Sequence, residues 1–265
     1  MYMTEKRSAY RCKGGMTFCS RPIVFCTPVQ AACLLGRTRQ LMLFVRHGAT
    51  EWNTLSKLQG RVDIPLCEEG LHQAEKCADF IEKAVHGKLP LKGIYCSPLS
   101  RAYDTASVIG KALEYPEPFV VDGLIEREYG SLTGMTYAER KKKYKSPSDY
   151  PDDMETIPDT TARIKRVVGE IRRFEGSGIS IVVTHGGVLN ALFSGITRGR
   201  AGCNGNITAN CAVAMAAVGC DDIIPLVYNL GGADFSKYMS ELIAYIGKGE
   251  KRSAFCRRGA EKIVR

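Results

Sequence analysis

Three short apolar runs that end in charged chemistry constrain this chain more than any other feature. Leu41-Met42-Leu43-Phe44-Val45 passes without a break into Arg46-His47-Gly48. Gly93-Ile94-Tyr95-Cys96-Ser97 passes into Pro98-Leu99-Ser100-Arg101, and residues 178–184, GISIVVT, pass into His185-Gly186-Gly187. Continuous apolar runs of this length, bounded by Gly and Pro, read as strands buried on both faces. Helical periodicity fills the intervals. Residues 67–87 carry Leu71, Ala74, Ala78, Ile81 and Val85 at helical spacing. Pro98, at a first helical position after Ser97, opens a helix that runs to about Leu113. A third helix covers 159–175 with Ile164, Val167, Val168 and Ile171 inward, and a fourth runs from Gly187 to about Ile196. Residues 119–121, 211–218 and 223–230 add strand candidates, and 236–246 a last helix. Strands alternating with helices predict an α/β fold: one domain with a mainly parallel central sheet, flanked by helices on both faces. Residues 126–158 fit neither period and predict a small cap excursion over the carboxyl ends of the strands.

Charge has to be placed before it is interpreted. The chain has 265 residues and a formal charge of +9. Residues 1–40 carry +6 and residues 248–265 carry +5, which leaves −2 on 41–247. The excess belongs to the two ends, which argues against a nucleic-acid groove in the folded part. The domain organisation expected is a basic, poorly ordered extension over 1–40, a catalytic domain over 41–247 and a basic tail over 248–265. In the extension, PIVFCTPVQAACLLG is apolar but interrupted by Pro28 and Gln30. It reads either as a dispensable segment ahead of a chain that truly starts near Met42, or as a targeting leader. No run is long enough for a membrane span. The oligomeric state is not legible.

Eleven cysteines, scattered and without a CxxC pair, read as reduced thiols in a cytoplasmic setting, with organelle targeting as the alternative if 1–40 is a transit peptide. Cys96 and Cys211 read as small core residues. Cys12, Cys19, Cys26 and Cys33 recur every seven residues, but the spacing fits no common zinc pattern, and Gly14, Gly15, Pro22 and Pro28 spoil a continuous helix.

Ligands of open α/β sheets bind outside the carboxyl ends of the strands, where helix N-termini offer backbone N–H groups. Arg46, His47, Arg101 and His185 all lie at such ends, and two arginines with two histidines suit a tetrahedral anion, phosphate above all. Glu126, in LIEREYG, is the acid that a neighbouring loop delivers. Singly, each residue has a plain structural reading: a polar strand exit, a helix-surface charge, a solvated turn. Their joint placement points to a pocket.

The segments LFVRHGATEWN, QGRVDIPLCEEG, CSPLSRAYDTA, IEREYGSLTGMT and VVTHGGVLNAL, in this order over residues 41–246, resemble the histidine phosphatase superfamily, phosphoglycerate mutase-like branch. The resemblance implies that His47 is a phosphorylated nucleophile, that Arg46, Arg101 and His185 hold the phosphoryl group, and that Glu126 is the proton donor. It implies that Thr50, Asn53, Gln59, Gly60, Gly186 and Gly187 line the same pocket, and that Tyr129 contacts substrate. No metal or other cofactor is then required, because positioned cations stabilise a loose phosphoryl-transfer transition state.

The implied function is hydrolysis of a small phosphorylated metabolite, with a cofactor-dependent mutase as the alternative. Mutases of the family carry a long basic insertion between the acid and the second histidine, whereas 58 residues separate Glu126 from His185 here. They also tend to have Asn where this chain has Gly187. EREYG is mutase-like, and Met154-Glu155-Thr156 departs from the family's Gly-Glu-Ser. Outside enzymology, the rivals are a silent regulatory relative and a polyanion binder that uses RKKKYK, 140–145, a run that otherwise reads as a solvated helix face.

Overall fold

The computed structural model describes residues 22–35, 39–146, 149–175, 178–203 and 207–247. Seven strands form one sheet: β1 (Ile23–Val24), β2 (Gln40–Arg46), β3 (Leu91–Cys96), β4 (Phe119–Val120), β5 (Ile179–Thr184), β6 (Val213–Val218) and β7 (Ile223–Leu230), in the order β1-β7-β6-β2-β5-β3-β4. β2, β5, β3 and β4 are parallel neighbours; β6, β7 and β1 add antiparallel pairings beyond β2. Five of the seven strands therefore point the same way, as the alternating pattern predicts.

Because side chains alternate along a strand, β2 feeds both faces of the sheet. Leu41, Leu43 and Val45 join one apolar cluster, and Met42 and Phe44 join the other. Over the first lie α1 (Pro28–Leu35), α3 (Glu68–Val85), α4 (Ser100–Ala112) and α8 (Gly232–Gly247). Over the second lie α6 (Ile157–Glu175) and α7 (Gly186–Thr197). Two short helices, α2 (Glu51–Thr54) and α5 (Tyr137–Lys143), belong to the loops above the carboxyl ends of the strands. α5 and the single 3₁₀ turn Gly130–Leu132 make up the cap, tied down where Leu58 N–H donates to Met135 O and Gly134 N–H to Leu58 O.

Several expectations shift. Leu71 is 43% exposed. The buried face of α3 runs instead through Gly70, Ala74, Cys77, Ala78, Ile81, Ala84 and Val85, one residue back from the assumed start. The helix after β3 begins at Ser100 rather than Pro98, because Asp63 Oδ1 accepts both the N–H and the hydroxyl of Ser100 and fixes the first turn there. α6 begins two residues early, at Ile157, with Thr156 Oγ1 accepting the N–H of Asp159.

The larger correction concerns the segment expected to be a poorly ordered extension. Residues 22–35 are part of the fold. β1 pairs with β7, and α1 packs on α8 through buried Ala31 and Leu34. Tyr238 of α8 donates its hydroxyl to Cys26 O at 2.9 Å. Thr27-Pro28-Val29-Gln30 is a helix start: Gln30 Oε1 accepts the N–H of Thr27, and Thr27 Oγ1 accepts the N–H of Gln30. Proline at a first helical position and this reciprocal box open a helix at the two residues that were read as interrupting an apolar run. The rest of the extension, residues 1–21 and 36–38, and the basic tail lie outside the described residues.

Cys96 and Cys211 are buried core residues, as expected. Cys33 is disulfide-bonded, which corrects the expectation of reduced thiols throughout; it lies half-buried on α1, where a thiol can be reached. Among the described residues, Cys26, Cys67, Cys77, Cys96, Cys203, Cys211 and Cys220 are free. Among the described residues no helix is long and apolar enough to cross a membrane.

Candidate active site

The parallel strands β2, β3 and β5 deliver their exits to one place. His47 follows β2, is 2% exposed, and brings its ring Nδ1 to within 2.6 Å of Gly48 O. A carbonyl only accepts, so Nδ1 carries the proton and Nε2 keeps its lone pair. Burial, and then the charges of Arg46 and Arg101, push the His47 pKa well below 6.5, so the imidazole is neutral at neutral pH. His185 follows β5, is fully buried and stands 5.1 Å from His47 between ring centroids. Burial, followed by His47 and the two arginines, also drives its pKa well down. Its Nε2 is 2.7 Å from Ser97 Oγ, at the end of β3. Ser97 Oγ also accepts the N–H of Leu99; when its own proton goes to Nε2, His185 holds its proton on Nδ1 and can donate there.

Arg101, on the first turn of α4, is fully buried, a costly place for a guanidinium. Its Nη1 donates to Val62 O at 2.8 Å and its Nη2 to Gly60 O at 2.9 Å. Gly60 adopts φ +54 there, a backbone that glycine takes without strain. Arg46 ends β2 and donates Nη1 to Thr208 O at 2.6 Å. The remaining nitrogens matter most. Arg46 Nε, Arg101 Nε and His185 Nδ1 are buried with no hydrogen-bond partner among the described residues. Buried donors are normally satisfied, and three orphans from three strand exits beside one neutral imidazole make an anion cradle. Gln59 Oε1 and Thr133 Oγ1 are buried and unpaired as well.

Glu126 is 7% exposed, with its carboxyl at the start of α7. Its carboxylate accepts N–H groups from Arg127 at 2.8 Å, Gly187 at 3.1 Å and Val188 at 3.2 Å. Burial raises its pKa above 4.5, against those hydrogen bonds and the charges of Arg101 and Arg46. Side chains engage part of the helix N-termini that were expected to face an anion. Glu126 occupies the start of α7, and Asp63 and Ser97 occupy that of α4.

The other candidates fall into two groups. A Cβ on Gly187 would lie 2.7 Å from Glu126 Oε1 and collide with the Tyr129 hydroxyl, and one on Gly186 would lie 3.1 Å from Arg46 Nε. Gly186, Gly187, Gly60 and Tyr129 thus stand around the cradle. Burial raises the Tyr129 pKa and keeps the phenol protonated. Thr50 and Asn53 are turned on each other as the capping box of α2, which fixes the loop after His47. Residues 140–145 begin on α5, where Lys141, Lys142 and Lys143 are exposed.

Sequence reasoning missed the supports. Thr105 Oγ1 accepts the N–H of Gly48, and Gly48 packs on Gly70 so closely that a Cβ on either would strike backbone. Glu155 pairs with Arg163 through both oxygens at 2.8 Å and with Arg61 at 3.3 Å, and its carbonyl accepts Nε of Arg127, so it holds the Glu126 loop in place. The only signal for Ser97 was its position at a strand exit.

The chain also matches known proteins in sequence and fold. The family model of the histidine phosphatase superfamily (branch 1) matches residues 42–217. The chain is 34% identical over 155 residues to the uncharacterized phosphatase PhoE of Bacillus subtilis, covering 58% of this chain and 76% of that one. It is 35% identical over 167 residues to a metal-independent phosphoserine phosphatase of Arabidopsis thaliana, covering 59% and 68%. It is 31% identical over 165 residues to a 2,3-bisphosphoglycerate-dependent phosphoglycerate mutase of Gloeobacter violaceus, covering 57% and 73%. Among solved structures, a mycobacterial glucosyl-3-phosphoglycerate phosphatase in complex with VO3 superposes with a TM-score of 0.59 at 25% identity, over 73% of this chain and 100% of that one. From the match over most of its folded part, this chain belongs to branch 1 of the histidine phosphatase superfamily and is an enzyme, a phosphatase of the phosphoglycerate mutase family.

Proposed function

We propose that this enzyme hydrolyses small phosphomonoesters through a phosphohistidine on His47. The observation that carries the reading is the trio of unpaired buried donors, Arg46 Nε, Arg101 Nε and His185 Nδ1, around a neutral His47. The Nε2 lone pair attacks phosphorus in line as the ester P–O bond breaks. Glu126, its pKa raised by burial, gives its proton to the leaving oxygen. Water then attacks the phosphohistidine and yields its proton to the Glu126 carboxylate, and phosphate leaves with His47 neutral again. The donors of the cradle match the spreading oxygen charge of the transition state, so no metal is called on. Thr50, Asn53, Gln59, Gly60, Tyr129, Gly186 and Gly187 line the pocket in this reading.

A mutase reading draws on the EREYG tyrosine and on the likeness to the Gloeobacter enzyme. Hydrolysis is favoured by the cap, whose one helix between Glu126 and α6, among the described residues, is the seven-residue α5. A panel that includes phosphoserine and 3-phosphoglycerate, read as released phosphate, tests the two beside a mutase assay primed with bisphosphoglycerate. Hydrolysis without phosphoryl exchange between substrates supports the proposal, and efficient exchange overturns it. A cytoplasmic setting is also proposed, on the free thiols; the Cys33 disulfide weighs against it.

A further inference from the structure

Residues 207–212, between α7 and β6, are neither helix nor strand, yet they grip the site at four points. Thr208 O accepts Arg46 Nη1 at 2.6 Å, the only hydrogen bond of that guanidinium to protein among the described residues. Asn210 Nδ2 donates to His47 O at 2.9 Å and lies 3.4 Å from Asn53 Oδ1. Cys211 N–H donates to Arg46 O at 3.0 Å, and Arg46 N–H donates to Ala212 O at 3.3 Å.

A second layer holds this segment from behind. Asn190 Oδ1, on α7, accepts the N–H of Thr208 at 3.1 Å and the hydroxyl of Tyr228 at 2.7 Å. The Thr208 hydroxyl is 2.9 Å from the Tyr228 oxygen, and Asn229 Oδ1 accepts the N–H of Ala209 at 2.8 Å. Thr208 and Tyr228 are fully buried. Cys211 and Asn229 sit at φ +54 and +66, a left-handed backbone that non-glycine residues keep only where their surroundings impose it. A guanidinium whose Nε must face an anion is steered by whatever its Nη groups hold. Here that is one carbonyl, fixed in turn by three side chains from α7 and β7.

We propose that Thr208–Ala212 is a positioning strap that sets the orientation of Arg46 and His47, with Asn210, Asn190 and Tyr228 as its positioning residues. The inference rests on the reading of Arg46 and His47 as phosphoryl clamp and nucleophile. None of the three needs to touch substrate. Displacement of a reacting group by about 1 Å can cost on the order of 10²-fold in rate, so the strap belongs to catalysis even though it stands outside the cradle.

The test uses Asn210→Ala and Tyr228→Phe in the full chain. The first removes a half-buried amide, and the second removes a single oxygen. kcat, KM, the dissociation constant of orthovanadate and the melting temperature are measured for each. The strap predicts that kcat falls by about ten-fold or more while KM stays within about three-fold, and that vanadate binding weakens by about ten-fold. Unchanged kcat and vanadate affinity with a lowered melting temperature would overturn it, because that is the mark of a support for the fold alone. Vanadate binding reads the strap without turnover. A wild-type protein that binds vanadate but hydrolyses no ester would count against the hydrolase reading, while weakened binding in the variants would still uphold the strap.

Discussion

At the residue scale, the proton is the most discriminating probe. Burial and two arginines keep His47 neutral to well below pH 6.5, and burial raises the Glu126 pKa. With an alkyl phosphate, kcat/KM therefore falls on the acid side as His47 is protonated and on the alkaline side as Glu126 loses its proton. Glu126→Gln should slow alkyl phosphates by about 10²–10⁴-fold and p-nitrophenyl phosphate far less, because an alkoxide needs the proton and a nitrophenolate leaves nearly unaided. Equal losses on both substrates would mean that Glu126 positions rather than donates. Gly187→Ala supplies a steric counterpart, since its Cβ would press on Glu126 and Tyr129. A fall in kcat of about ten-fold or more is expected, beyond any drop in melting temperature from the added bulk; full activity would show that the carboxylate has slack. The main site residues were legible because Arg46, His47, Arg101 and His185 stand at or just beyond strand ends, where period-2 and period-3.6 patterns meet. Ser97, Thr105 and Asn210 were not, because a support is defined by a partner far away in sequence: His185, Gly48 and His47 respectively.

At the element scale, the parallel strands and their crossover helices could be read almost residue by residue, because strands buried on both faces are continuous apolar runs. β1 and α1 could not. Two residues are too few for a strand pattern, and β1 exists because β7 offers an unpaired edge. α1 was hidden by reading Pro28 and Gln30 as interruptions, although Thr27-Pro28-Val29-Gln30 is itself a helix-start signal. The consequence is measurable. Removing residues 1–35 strips the edge of β7 and uncovers α8, so it should lower the melting temperature steeply or abolish soluble expression. The milder Leu34→Ala should cost about 2–4 kcal/mol, read by chemical denaturation. A truncated protein as stable as the full chain would mean that the α1–α8 contact contributes nothing.

At the scale of the whole molecule, the sheet is a device for bringing distant residues into register. β2, β5 and β3 are parallel neighbours, so residues 46–47, 97–101 and 184–187 exit side by side. The cap is tied to the loop after α2, where residues 57–58 pair with 134–136, and Arg61 Nε donates to Glu126 O at 3.2 Å. The family was legible in the sequence, and so was the convergence of three strand exits. What stayed hidden was the division of labour: the starts of α7 and α4 engage Glu126 and Asp63, while Arg46 Nε, Arg101 Nε and His185 Nδ1 have no partner among the described residues. The central claim is that the phosphoryl group passes through His47. The direct measurement is rapid quenching of turnover with a ³²P-labelled phosphomonoester in the presence of a chelator, followed by acid and base treatment of the protein. Label that is stable in base, lost in acid, and absent from His47→Ala is the predicted result. Turnover at a normal rate by His47→Ala, or label that survives acid, would contradict it.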